Sequence, residues 1–125
     1  MHVGQIELRR ILIVEDEMIL ALNLEDMLME LGHTVVAIAT RIKDAIDLAK
    51  SCDIDLAILD LNLSGSLSFP VAEILRKRGI PFIFASGYGE NGLVEGFQNE
   101  FVLTKPYLPR DLKNAMRDLG LVSGH

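Results

Sequence analysis

The chain has 125 residues, half of them hydrophobic, and 18 acidic against 12 basic residues give a formal net charge of -6. This length and apolar content predict one compact domain, and the acidic charge argues against direct binding to nucleic acid or to anionic membranes. No apolar run approaches the roughly 20 residues that cross a bilayer, so we expect a cytoplasmic protein without membrane contact.

Short apolar runs alternate along the chain with longer stretches that have apolar residues at helical spacing. The short runs are almost wholly apolar, which is typical of a parallel sheet covered by helices on both faces. Five strands are predicted, at residues 11–14, 34–39, 56–59, 81–85 and 101–104. Helices are predicted at residues 20–31, 42–49, 71–75 and 108–119. Ser68 and Pro70 form a typical start for the third of these helices.

The stretch between residues 86 and 100 departs from this pattern because each of its four glycines costs a helix about 1 kcal/mol relative to alanine. A fourth helix there is predicted to be short or irregular. The alternation indicates an α/β domain with a doubly wound, five-stranded parallel sheet. Thr40 is the polar residue that ends the second strand, which suits an outer strand and the order 2-1-3-4-5. We expect one domain over residues 1–125, with residues 1–9 as a flexible extension.

Polar side chains follow four of the five predicted strands. The first strand leads into Glu15 and Asp16, the third into Asp60, the fourth into Ser86 and the fifth into Lys105. Ligands of an open parallel sheet bind outside the carboxyl ends of its strands, so these side chains are expected to share one pocket. Each has an ordinary explanation when taken alone, such as a turn aspartate or a solvated lysine. Their common position indicates a functional site.

Three carboxylates in one pocket repel one another unless a cation compensates for their charge. Glu15, Asp16 and Asp60 supply the hard oxygen ligands that Mg²⁺ or Mn²⁺ prefers, and such a cation is often completed by phosphate oxygens. The sequence contains no glycine-rich Walker loop, so a phosphoryl group is expected to come from another molecule rather than from a bound nucleotide. Lys105 is expected to neutralise one phosphoryl oxygen, and the Ser86 hydroxyl to donate to another.

Four short motifs, in order, resemble the receiver domain of two-component response regulators over almost the whole chain. ILIVEDE carries the family's acidic pair, LAILDLNLSG carries the phosphoacceptor Asp60, FASG carries the hydroxyl residue Ser86, and LTKPY carries Lys105 and Pro106. The resemblance implies a flavodoxin-like receiver fold and a sensor histidine kinase as the partner.

The same resemblance implies roles for single residues. Asp60 attacks the phosphohistidine of the kinase in line, and Mg²⁺ is ligated by Asp16, Asp60 and the main-chain carbonyl of Asn62. Glu15 assists through water. Because Asp60 is consumed in each transfer, the domain is expected to be a stoichiometric acceptor with self-catalysed phosphotransfer and dephosphorylation, and not an enzyme.

The motif FASGYG resembles that of the FAT GUY subgroup of receivers, which is often paired with kinases of the HWE or related classes. Three departures from typical receivers change the expectations, and one is that the stretch from Ser86 to Lys105 is a few residues shorter than usual. Another is that Val102 stands at the position of the aromatic switch residue. Phe101, one residue earlier, should face the opposite side of the strand, so Tyr88 is a candidate to take over the switch role. The usual proline is missing from LNLSGSLS, so the loop after Asp60 is expected to be looser.

Two other functions fit parts of the pattern. A small phosphatase with an aspartyl nucleophile is disfavoured because Asn62 stands where a second aspartate is needed. A non-phosphorylated adaptor would bind partners through its helices alone. For the receiver, the sequence does not identify the downstream protein, and the altered fourth-helix stretch predicts a monomer or a weak dimer. His2, His33 and His125 show no ligand spacing and are predicted to lie at the surface.

Overall fold

The computed structural model describes residues 9–87, 96–97 and 100–120. In chain order the strands are β1 (Arg10–Val14), β2 (Thr34–Ala39), β3 (Leu56–Asp60), β4 (Asn62–Leu63), β5 (Ser66–Leu67), β6 (Phe82–Ser86) and β7 (Val102–Thr104). The helices of the described residues are α1 (Met18–Glu30), α2 (Ile42–Ser51), α3 (Phe69–Lys77) and α4 (Pro109–Asp118). None of these helices combines the length and the apolar character that crossing a membrane requires.

The main sheet has five parallel strands in the order β2-β1-β3-β6-β7. Since β6 and β7 are the fourth and fifth predicted strands, the predicted order 2-1-3-4-5 and the doubly wound fold are confirmed. Each of the five predicted strands agrees with the observed one to within one residue at either end. Strand β2 lies at an edge of the sheet, as its polar end at Thr40 suggested.

The core has two layers because alternate residues of each strand point to opposite faces of the sheet. One face packs against α2 and α3, and the other packs against α1 and α4. Val102 belongs to the α2–α3 face and Phe101 packs against the α1–α4 face, so their predicted opposite orientation is confirmed. The sheet thus lies between two layers of helices, and because its five strands are parallel their carboxyl ends share one edge.

Residues 96, 97 and 100 are attached to α3 through Arg76. Its guanidinium lies 4.3 Å from the centre of the Phe97 ring and donates to the Gly96 carbonyl at 3.1 Å and to Glu100 at 2.6 Å. The Phe97 ring in turn contacts the rings of Phe69 and Phe84, with centroids 4.9 and 6.0 Å apart. The end of the glycine-containing stretch is therefore part of the core.

Several predictions fall on other parts of the chain. Residues 88–95 and 98–99 lie outside the described residues, so the proposed role of Tyr88 and most of the predicted fourth helix are untested. The same is true of the predicted extension except for Arg9, and of His2 and His125.

The loop after Asp60 was expected to be loose, and that prediction is wrong. Strands β4 and β5 pair antiparallel and form a hairpin whose turn residues, Ser64 and Gly65, have φ angles of 50° and 93°. Two consecutive positive φ angles match the twist of a two-residue hairpin, and a glycine suits the second of them. The Asn62 side chain accepts a hydrogen bond from the Gly65 amide at 2.8 Å, which closes the turn. The serine and glycine residues thus specify a turn.

His33 is buried, and the prediction that it lies at the surface is wrong. It follows α1, is 4% exposed, and its Nδ1 accepts a hydrogen bond from the Arg9 amide at 3.1 Å. Its Nε2 has no hydrogen-bond partner within the described ranges. Burial, and secondarily the charge of Arg9, lower the pKa of His33 below its ordinary value of 6.5.

The burial of His33 makes folding stability depend on pH. Below pH 6.5 the unfolded chain protonates this histidine before the folded chain does, so the free energy of unfolding should fall as the pH decreases. His33→Asn retains an acceptor for the Arg9 amide and does not titrate, so its stability should fall less between about pH 7.5 and pH 5.5. Urea denaturation of both proteins at the two pH values measures this. An equal fall in both would show that another group is responsible.

Candidate functional site

The carboxyl edge of the sheet brings the predicted site residues together. Glu15 and Asp16 follow β1, Asp60 ends β3, Ser86 ends β6, and Lys105 follows β7. Backbone hydrogen bonds fix these positions: the Glu15 amide donates to the Ala39 carbonyl at 3.0 Å, and the Lys105 amide donates to the Ser86 carbonyl at 2.8 Å. The site is therefore attached to the sheet rather than to free loops.

The ammonium group of Lys105 lies between two carboxylates. It donates to Glu15 at 2.9 Å and lies 3.3 Å from an oxygen of Asp60. Glu15 is 6% exposed, so this ion pair is partly withdrawn from water. Desolvation opposes the charged form, but the hydrogen bond to Glu15 and the charge of Asp60 raise the pKa of Lys105 above its ordinary value. Lys105 is therefore a fixed positive charge in the pocket and not a solvated surface lysine.

Asp60 is the most perturbed carboxyl group of the site. Burial, and then the neighbouring Glu15, raise its pKa to about 7, and this rise is partly offset by the positive charge of Lys105. Its side chain is 12% exposed, so it is still reached by solvent. A carboxylate that is desolvated and repelled by a neighbour is stabilised by contact with a cation.

Asp16 lies at the more exposed side of the pocket and has a partner that the sequence did not indicate. The Ser64 hydroxyl at the tip of the hairpin donates to Asp16 Oδ2 at 2.7 Å. Burial acts in the opposite direction, but hydrogen bonds, first among them that of Ser64, lower the pKa of Asp16 below its ordinary value. Asp16 therefore remains ionised beside Asp60.

The three acidic side chains have the geometry of a cation site. One carboxylate oxygen from each of Glu15, Asp16 and Asp60 lies within 4.8 Å of the others. An all-oxygen, anionic donor set on a half-open pocket suits a small divalent cation that keeps several waters, such as Mg²⁺. Asn62 lies two residues beyond Asp60 with its side chain held in the hairpin turn, which leaves its main chain as the possible ligand.

Ser86 is the remaining predicted site residue, and it is 3% exposed at the end of β6. Its neighbour Ala85 is paired with Asp60 across the sheet, and Ser86 itself is paired with Thr104. The structure thus places Ser86 between the strands that carry Asp60 and Lys105, as expected from the strand ends.

A groove of about 410 Å³ opens beside the acidic cluster, between α1 and the segment that joins β7 to α4. Glu15, Lys105 and Asn23 are its polar lining residues, and the others are mostly apolar: Leu20, Leu24, Met27, Pro106 and Tyr107. Of these apolar residues Leu20, on α1, is 39% accessible to solvent. The pocket is therefore bordered by an apolar surface as well as by charges.

The sequence and the fold both have known relatives. The model of the response regulator receiver domain matches residues 11–117. Transcriptional regulatory protein PdtaR of Mycobacterium tuberculosis is 32% identical over 108 residues, which are 83% of this chain and 53% of PdtaR. The chain spans about half the length of the curated relatives it matches.

Two solved structures extend the comparison to the fold. SdrG of Sphingomonas melonis Fr1 has a TM-score of 0.80 and 41% identity, covering 90% of this chain and 96% of SdrG. The anti-anti-sigma factor PhyR of Bartonella quintana has a TM-score of 0.76 and 32% identity, covering 94% of this chain and 49% of PhyR. With the sheet order and the acidic edge described above, these matches show that the chain belongs to the receiver domain family of two-component response regulators.

Proposed function

We propose that Asp60 is the phosphoacceptor of this receiver domain and that it takes its phosphoryl group from a sensor histidine kinase. The observation that carries the proposal is the position of Lys105, whose ammonium group bridges Glu15 and Asp60. A fixed cation beside a reactive carboxylate neutralises charge on a transferred phosphoryl group. Ser86, at the end of the adjoining strand, supplies a hydroxyl donor at the same edge.

The transfer exchanges one bond for another. A carboxylate oxygen of Asp60 forms a bond to phosphorus as the bond between phosphorus and the imidazole nitrogen of the kinase phosphohistidine breaks. That nitrogen keeps the electron pair and later takes a proton from solvent. Asp60 must be ionised to attack, and its pKa of about 7 leaves a large fraction ionised at neutral pH even before a cation binds.

A divalent cation completes the site. Glu15, Asp16 and Asp60 would hold Mg²⁺ or Mn²⁺ together with the main-chain carbonyl of Asn62, with Glu15 acting through water. Bound there, the cation would offset the repulsion among the carboxylates and draw negative charge from the phosphoryl oxygens. The donor chemistry supports this proposal, since all of the side-chain ligands are carboxylate oxygens.

The apolar groove beside the site suits the donor protein. A kinase helix that carries the phosphohistidine has to approach Asp60 from solvent, and the walls of α1 next to Glu15 offer it exposed apolar area. The FASGYG motif favours a kinase of the HWE or related classes and membership of the FAT GUY subgroup. In this proposal the domain works in the cytoplasm and changes its contacts with a downstream protein when it is phosphorylated.

The site supports a stoichiometric acceptor better than a phosphatase. An aspartyl phosphatase needs a second acid near the nucleophile, and the corresponding residue is Asn62, whose side chain is occupied with the Gly65 amide. Receiver domains are phosphoacceptors rather than classical enzymes. Self-catalysed transfer from small phosphodonors, and slow loss of the phosphoryl group to water, are parts of the proposal.

Intact mass tests this function. Incubation with acetyl phosphate and Mg²⁺ should add one phosphate-sized increment, and removal of Mg²⁺ with a chelator should abolish the increment. Hydroxylamine, which cleaves acyl phosphates and leaves serine phosphates intact, should remove it. A chain that binds Mg²⁺ but gains no phosphate from acetyl phosphate or from a histidine kinase would instead be a non-phosphorylated adaptor.

A further inference from the structure

We propose that Ser64 is a positioning residue of the cation site, which holds the Asp16 carboxylate in the orientation that Mg²⁺ requires. The inference rests on the proposed function, in which Asp16 is a ligand. This role would also explain the hairpin of β4 and β5, because the hairpin brings Ser64 into contact with Asp16, which lies 48 positions earlier in the chain.

The contact depends on the shape of the turn. Ser64 is the first of the two turn residues, and its φ of 50° places it in a conformation that a glycine adopts more readily. The Asn62 side chain closes the turn by accepting from the Gly65 amide at 2.8 Å, and the Ser68 amide donates to the Leu61 carbonyl at 3.0 Å at the base of the hairpin. The hydroxyl of Ser64 therefore contacts Asp16 from a turn that is held in place by hydrogen bonds at its tip and at its base.

The hydrogen bond from Ser64 leaves Asp16 able to bind a cation. Ser64 donates to Asp16 Oδ2 at 2.7 Å, which leaves Oδ1 and a second lone pair of Oδ2 for a metal ion. Asp16 is beside two other carboxylates, so without a donor its side chain would gain by rotating away from Glu15 and Asp60. Ligating carboxylates commonly have such outer partners, which fix their orientation.

The coupling must act in both directions. If Ser64 raises the affinity of the site for Mg²⁺, then bound Mg²⁺ must stabilise the hairpin by the same free energy. Exchange of the Gly65 amide hydrogen reports on this, because that amide is bonded only when the turn is closed on Asn62.

Two substitutions separate the donor from the turn. Ser64→Gly removes the hydroxyl and tolerates a positive φ, whereas Ser64→Asn tolerates a positive φ and offers an amide donor to Asp16. Ser66→Ala is the matched control, because Ser66 is an exposed serine of the same hairpin. None of the three changes a proposed ligand.

Calorimetric titration with Mg²⁺ alone, without any phosphodonor, measures the effect. Ser64→Gly should bind Mg²⁺ about tenfold more weakly than the parent chain, the lower end of the range for such outer partners. Ser64→Asn and Ser66→Ala should stay within about twofold of the parent. Added Mg²⁺ should slow exchange of the Gly65 amide in the parent chain and much less in Ser64→Gly.

The outcomes separate this inference from the proposed function. Parent-like or tighter binding by Ser64→Gly, or equal weakening by Ser64→Gly and Ser64→Asn, would overturn the role of Ser64 and leave the phosphoacceptor proposal in place. A parent chain that neither binds Mg²⁺ nor gains phosphate would overturn the proposed function, and the role of Ser64 with it.

Discussion

Asp60→Asn should abolish the Mg²⁺-dependent gain of phosphate and, in the absence of Mg²⁺, should make the folded chain more stable than the parent. The first effect follows because an amide oxygen is a much weaker nucleophile than a carboxylate oxygen. In the proposal Glu15 and Asp16 bind the cation and do not accept the phosphoryl group. Intact mass after incubation with acetyl phosphate measures it. Phosphate gain that persists in Asp60→Asn would place the acceptor on another residue.

The second effect follows from the raised pKa of Asp60. The ordinary pKa of 3.8 is raised to about 7, chiefly by burial, so the ionised carboxylate is disfavoured in the folded chain. As the pH falls from about 7 towards 3.8, the folded chain takes up a proton that the unfolded chain does not, and this destabilisation disappears. The neutral amide should therefore raise the melting temperature by a few degrees at about pH 8 and by less at about pH 5.

Thermal unfolding of both proteins in a chelating buffer gives this comparison. Mg²⁺ has to be absent because it would bind the parent carboxylate and raise the stability of the parent. A melting temperature of Asp60→Asn that lies below that of the parent at both pH values would show that the carboxylate contributes more through Lys105 than it loses through burial and Glu15.

The framework of the site could be predicted from the sequence because it depends on strand ends. A nearly continuous apolar run identifies a buried parallel strand, and the residue after such a run must lie at the carboxyl edge. Asp60 and Lys105 are 45 positions apart in the chain, yet this rule places them in one pocket, and the structure brings them to 3.3 Å. The contact needs no information about loops.

The residues that were missed depend on loops and on side-chain placement. A serine in a turn has no periodicity that would associate it with Asp16, and only the positive φ angles of the hairpin direct it there. His33 follows a glycine, a position that suggests an exposed turn residue. Its side chain is instead buried and accepts a hydrogen bond from the Arg9 amide. Phe97 stands among residues with no clear spacing, and its place in the core is given by contacts with the rings of Phe69 and Phe84 and with the guanidinium of Arg76.

The electrostatic arrangement links stability to function. The charge of Lys105 offsets only part of the combined effect of burial and of Glu15, since the pKa of Asp60 is raised despite it. Three carboxylates therefore lie near one ammonium group at this edge of the sheet, and in the proposed function a divalent cation would offset their repulsion. The same negative charge that destabilises the folded chain without a cation would favour the proposed binding of Mg²⁺.

Lys105→Met should slow phosphorylation and strengthen Mg²⁺ binding. Removal of the ammonium group takes away the proposed neutralising partner of the phosphoryl oxygens, and the loss of one such fixed donor typically lowers a transfer rate about a hundredfold. It also removes a positive charge next to the cation site, so Glu15 and Asp60 become freer to attract a divalent ion. The initial rate of phosphate gain at saturating Mg²⁺, and calorimetric titration with Mg²⁺, measure the two effects.

Opposite signs of the two effects distinguish a charge role from general damage to the fold. Lys113→Met is the matched control because Lys113 is exposed on α4 and should leave both quantities unchanged. A Lys105→Met chain that loses Mg²⁺ binding together with phosphorylation would indicate that the lysine mainly holds the pocket together. An unchanged rate with saturating Mg²⁺ would show that the cation alone neutralises the phosphoryl group, and Lys105 would then have no part in the transfer.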